Sequence, residues 1–203
     1  MTSFILCTIN AKNTTPLKLL YKIVKEFFMY YFPNLDDITR LIMITELERD
    51  FKNGLFYVPK SIKPDFVCAY KRILKSSFEK GDVSSLRRDL IPSFFKTRDK
   101  NGKKIPSNIR DMVAFSEFNR YYARAVLVRA IDENRSVTIC RARKSVNERV
   151  ESKQSIHKNY FTKGSLEHML AVLRDYNVLF SGKVDIGFMK SNSGLSLKLG
   201  WLF

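Results

Sequence analysis

KVDIGFMKSNSGLSLKLGWLF, residues 183–203, is the stretch whose reading decides the fold class. Val184, Ile186 and Phe188 alternate with Asp185 and Gly187; after KSNSG, Leu195, Leu197, Leu199, Trp201 and Phe203 alternate with Ser196, Lys198 and Gly200. Successive side chains of a strand point to opposite faces, so a period of two means strand. Two such runs joined by a Gly-containing loop predict an antiparallel hairpin over 184–189 and 195–202, with Leu197, Leu199 and Trp201 on its buried side.

A third strand is expected upstream, over 137–143, where apolar and β-branched residues run into Arg141 and Arg143. Two helices supply the cover for such a sheet. The longer starts at Ser107 and carries Ile109, Met112, Val113, Phe115, Phe118, Tyr122, Ala125, Val126, Val128 and Ile131 at helical spacing. The second is capped by Ser165, carries Leu166, Met169, Leu170 and Leu173, and ends at Asn177. Residues 144–163 are polar, mixed in charge and aperiodic, which reads as a long loop.

The first half is helical apart from a short apolar strand over 3–9. Thr15 and Pro16 open one helix that stops before Pro33; a second follows Asp36 and ends at Asn53 and Gly54. A third runs from Pro64 to Gly81, and a fourth, capped by Asp82, reaches Leu90. Between the halves lies KTRDKNGKKIP, residues 96–106, a basic linker or loop. The expectation is an α+β fold: a helical lobe over 1–95, and an α+β lobe over 107–203 with a small antiparallel sheet packed against helices. One continuous domain is the alternative.

Charge narrows the function. Residues 60 to 163 hold 25 Lys/Arg against 11 Asp/Glu, nearly all of the net charge of +16. An imbalance of this size repels itself and is relieved by a polyanion. The 45% hydrophobic content excludes a disordered basic tail. Cys7, Cys68 and Cys140 stand singly among apolar neighbours, which reads as buried free thiols in a reducing compartment. No signal-peptide pattern and no long charge-free apolar run occurs, so neither export nor a membrane span is expected. The protein is placed in the cytoplasm or within a virion or nucleoprotein particle.

Four groups of cations are candidate phosphate contacts. Arg141 and Arg143, followed by Lys144, occupy alternate strand positions about 6.6 Å apart, a spacing that suits neighbouring phosphates met by planar guanidinium forks. The plainer reading ends the strand in solvent or pairs them with Glu148, Glu151 or Asp132. Arg120 and Arg124 lie one helical turn apart with Tyr121 and Tyr122 between them, a face able to hold a backbone; the alternative is an internal Glu117–Arg120 pair beside core tyrosines. Lys96, Arg98, Lys100, Lys103 and Lys104 put five cations in nine residues. Lys71, Arg72 and Lys75 share the outer face of their helix.

Chemistry finds little foothold. His157 and His168 form no metal-ligand spacing with each other or with the cysteines, and no phosphate-cradling or nucleophile-elbow motif occurs. Neither a cofactor nor a metal is expected, and no catalytic residue is assigned. The composition therefore favours a non-enzymatic nucleic-acid-binding protein, DNA or RNA, gripping phosphates largely without regard to sequence. A structural subunit of a virion or ribonucleoprotein particle, docking through Trp201, Leu202 and Phe203, is the first alternative. A nuclease or recombinase is the second, and would need carboxylates converging beside the basic surface.

Overall fold

The structure, a computed structural model, describes residues 30–144, 150–160, 162–181 and 193–202. The expected strand over 3–9, the helix from Thr15, Cys7 and the first hairpin strand over 184–189 lie outside the described residues. Within them the chain is α+β: helices fill the first half, and a three-stranded antiparallel sheet belongs to the second.

Side-chain caps start two of the helices where the sequence placed them, at Asp36 and Asp82, whereas the long helix expected to be capped by Ser107 follows Asn108 without a side-chain cap. α1 (Asp37–Lys52) begins where the Asp36 carboxylate accepts a hydrogen bond from the Thr39 amide, and it stops at Asn53. A 3-10 turn, Pro64–Phe66, leads into α2 (Val67–Lys80). Asp82 and Ser85 exchange hydrogen bonds in a capping box that opens α3 (Val83–Asp89). α4 (Ile109–Asp132) is the longest among the described residues, at 24 residues. From Val113 to Leu127 every residue of it but Ser116 is buried, so it is the axis of the fold rather than a cover on one face.

β1 (Arg135–Arg141) is two residues out of register with its expected bounds. Residues 144–163 are not one loop: α5 (Val150–Ser155) and the short β2 (Asn159–Tyr160) fall within them. Thr162, not Ser165, caps α6 (Lys163–Arg174), its hydroxyl accepting from the Ser165 amide. The chain then breaks at Asp175 before the expected Asn177. The Asp175 carboxylate accepts from the Asn177 and Val178 amides and opens the short α7 (Tyr176–Phe180). β3 (Leu195–Leu202) completes a sheet of order β2-β1-β3.

The β1–β3 register explains one departure from alternation. Val137 faces Leu199, but Arg135 faces Leu202, so Gly200 and Trp201 together oppose Ser136. This is a β-bulge, and one extra residue turns the following side chain to the other face. Leu197 and Leu199 are buried as expected; Trp201, expected beside them, is 90% exposed. Glycine fits the close approach at the bulge, because a Cβ on residue 200 would sit 2.0 Å from the Ser136 hydroxyl and would force that side chain to move.

One hydrophobic cluster joins Met43, Leu47, Leu74 and Phe78 from the first half to Phe118, Leu170, Leu173 and Leu197 from the second. Residues on both sides of 96–106 thus share a single core. Cys140 is buried, and burial pushes its thiol up to about 11, while Cys68 is exposed, contrary to the expectation for it. No helix among the described residues is long and apolar enough to cross a membrane.

Candidate nucleic-acid interface

The cations of the central region divide into an interior set and a surface set. Arg120 and Arg124 belong to the interior. Arg124 has no exposed side-chain surface; its Nη1 and Nη2 donate to the two oxygens of Asp50 at 2.7 Å each, and its Nε donates to Glu46 at 2.9 Å. Arg120 donates to Glu117 at 2.8 Å and lies between two rings, 4.3 Å from Tyr121 and 4.0 Å from Tyr176. Arg174 of α6 reaches the same Glu46, and the Tyr121 hydroxyl donates to Asp50. The expected phosphate-binding face of this helix is therefore a correction: both arginines are internal, the Arg124 fork filled by Asp50 and Glu46 and Arg120 paired with Glu117. Tyr121 and Tyr122 are core, as the plainer reading had them.

Burial sets the electrostatics of this network. Desolvation raises Glu117 above the ordinary carboxyl range, against the opposing charge of Arg120. Burial also opposes ionisation of Glu46, but hydrogen bonds from Arg174 and the charges of Arg124 and Arg174 outweigh it and hold that carboxyl below its usual value.

Arg141 and Arg143 also turn inward. Arg141 follows Val137 and Ile139 on the core-facing positions of β1, and Arg143 lies two residues beyond it, so alternation that aligns them also leaves both half-buried. Arg141 Nη1 donates to the Ser193 carbonyl at 2.7 Å, and its Nε and Nη2 are sealed from solvent. The Arg143 guanidinium lies 4.5 Å over the Phe115 ring. Neither is a free pair of forks at a strand end; of the three, only Lys144 is exposed.

The surface set is built from two segments. The Lys63 amide donates to the Phe94 carbonyl at 2.9 Å and the Lys96 amide to the Ser61 carbonyl at 2.8 Å, pairing residues 61–63 with 94–96 around an Ile62–Phe95 bridge. Ile62, Phe94 and Phe95 are buried and root this pairing in the core. The second segment continues into a tight ribbon. Arg98 and Lys104 face each other across it, the Asp99 amide donates to the Lys103 carbonyl, and the Ile105 amide donates to the Thr97 carbonyl. At its tip Asp99 Oδ1 accepts from the Asn101 and Lys103 amides, and Gly102 takes φ +77, a left-handed conformation that favours glycine. The expected linker is thus a hydrogen-bonded hairpin.

This arrangement presents Lys60, Lys96, Arg98, Lys100, Lys103 and Lys104 to solvent, with Lys63 half-buried beside them. Lys60 and Lys63 were not among the sequence candidates. Their signal was the PKSIKP spacing, but only backbone pairing across more than thirty residues joins them to the ribbon. On α2 the three candidates have different fates: Lys71 lies over the Phe51 and Phe56 rings at 4.9 and 5.3 Å, Lys75 pairs with Glu48 at 2.8 Å, and Arg72 is exposed. Among the described residues, no group of three or more His, Cys, Asp or Glu is placed to hold a metal ion. Comparison with protein-family models, with curated proteins and with solved structures yields no match.

Proposed function

We propose that the protein is a non-enzymatic nucleic-acid-binding protein that grips the phosphate backbone, largely without regard to sequence, through the platform of residues 60–63 and 96–104. One observation carries this reading: seven cations stand on a backbone-paired scaffold whose only acid within 96–104, Asp99, turns an oxygen to its own backbone amides. A fixed scaffold lowers the entropy lost when several lysines meet several phosphates, and the contacts carry no base information. The converging carboxylates Glu46, Asp50 and Glu117 lie inside the protein on arginines, which supports binding over hydrolysis.

The test is binding of labelled DNA and RNA of unrelated sequences across a salt series. Log affinity should fall linearly with log salt. Lys100→Ala with Lys103→Ala should flatten that slope by up to about two contacts, each about 0.9 for duplex DNA, with no change in fold. Absence of binding, or an unaltered slope, would overturn the reading. A second reading, a structural subunit of a larger assembly, draws on Trp201 and Leu202, which are 90% and 73% exposed side by side on β3.

A further inference from the structure

We infer that the nucleic acid held by the platform is single-stranded, its bases stacking on an aromatic cluster of Tyr57 and Phe180; the inference rests on the phosphate-binding reading above. Tyr57 precedes Lys60 by three residues on the segment between α1 and the platform, so at no more than about 3.6 Å per residue their Cα atoms lie within about 11 Å. That is about three nucleotide repeats of a stacked strand at about 3.4 Å each.

The cluster is layered. Tyr57 stacks on Tyr176 with ring centroids 4.3 Å apart and planes 19° apart. Phe180, at the far end of α7, comes within 5.3 Å of Tyr57 and 5.6 Å of Tyr176. Behind them the Arg120 guanidinium lies 4.0 Å from the Tyr176 ring, and the Tyr176 hydroxyl donates to Glu117 at 3.4 Å. Two partners about 4 Å from one ring centroid take opposite faces, so Arg120 fills the inner face of Tyr176 and Tyr57 the outer. The buried ion network thereby fixes the base of the stack, with Tyr57 half-buried over it and Phe180 the ring most open to solvent.

Phe180 is 63% exposed although two aromatic neighbours are in reach. An exposed ring packed on Tyr57, three residues before Lys60, fits an occupant that is both anionic and flat. Every base of a single strand offers a π-face, whereas bases of a duplex are already stacked and paired. Phosphates over Lys60, Lys63 and Lys96 with bases on Tyr57 and Phe180 use both features at once.

The experiment compares labelled DNA and RNA single strands of about 12 nucleotides, within the site sizes of such platforms, with the same sequences as duplexes. The unmodified chain should prefer the single strands. Phe180→Ala should weaken single-strand binding about 5- to 100-fold and leave the salt slope and duplex binding unchanged, while Phe180→Trp should retain the affinity. Because Phe180 is exposed, the variant folds, which circular dichroism verifies. Duplex preference, or wild-type affinity in Phe180→Ala, overturns the inference while leaving phosphate binding intact; failure of the unmodified chain to bind either form overturns both. Binding to phosphatidylserine vesicles that Phe180→Ala abolishes, with single-strand affinity unchanged, would assign the cluster to lipid and overturn it as well.

Discussion

Arg124 and Asp50 meet through two parallel hydrogen bonds of 2.7 Å, and neither side chain has any exposed surface. The pair ties α4 to α1 at the centre of the molecule. A buried pair of this kind contributes less than its Coulomb energy suggests, since both ions have left water, but removing one partner strands the other. Arg124→Met should therefore cost about 3–5 kcal/mol in urea unfolding. Arg124→Met with Asp50→Leu should cost less than the sum of the single changes, because the double variant strands no Asp50 charge. A strictly additive double variant would mean that the two groups do not stabilise each other.

Glu46 and Glu117 should give opposite pH dependences. Burial works against the Glu46 carboxylate, but bonding from Arg174 and the charge of Arg124 depress its folded pKa. Its stabilisation is present above the unfolded carboxyl value of about 4.3 and is lost as pH falls through the lower folded value. For Glu117, burial raises the folded pKa; its stabilisation is complete below the unfolded value and is lost as pH rises through the folded one. The deficit of Glu46→Gln relative to wild type should therefore shrink on acidification. Any advantage of Glu117→Gln should grow as pH rises. Unfolding midpoints from about pH 3 to about pH 7 check both, and parallel trends in the two variants would contradict the assignment.

These internal charges mark the boundary of what the sequence disclosed. Caps are local chemistry, so Asp36, Asp82 and the Pro64 start were legible, as was the alternation of Leu195, Leu197 and Leu199. The fate of a cation is not local. Arg124 looks like a surface arginine until α1 supplies Glu46 and Asp50, themselves one turn apart and matched to Arg120 and Arg124. That complementary spacing was in the sequence, but choosing between it and a solvated face needs the packing of α1 on α4. The same holds for the platform: the five cations of 96–104 could be read as a group, whereas Lys60 and Lys63 join them only through long-range pairing.

Arg141 and Arg143 now carry a different expectation from that of solvent-facing strand-end residues. With Arg141 bonded to the Ser193 carbonyl and Arg143 seated on Phe115, truncation should be felt in stability rather than in binding. Arg141→Ala should cost about 1–3 kcal/mol and Arg143→Ala about 0.5–2 kcal/mol. Affinity for nucleic acid, and its salt slope, should stay at the wild-type value in the folded fraction. Thermal unfolding together with anisotropy titration separates the outcomes; a stable double variant with a flatter slope would restore both residues to the phosphate surface.

Trp201 is the only tryptophan of the chain, so its emission reports on one place. The bulge opposite Ser136 turns it out, leaving it 90% exposed beside Leu202, at 73%. In the dilute monomer its fluorescence should be that of a hydrated indole, freely quenched by iodide. Trp201→Ser should change stability by no more than about 0.5 kcal/mol, since little packing is lost. If these two residues dock against a neighbouring subunit, raising the protein concentration should shift the emission to the blue and protect it from iodide. Trp201→Ser should then lower the sedimentation coefficient at that concentration. Emission that stays red and quenchable while the protein assembles would place the contact elsewhere, and would remove the chain-end observation on which the subunit reading depends.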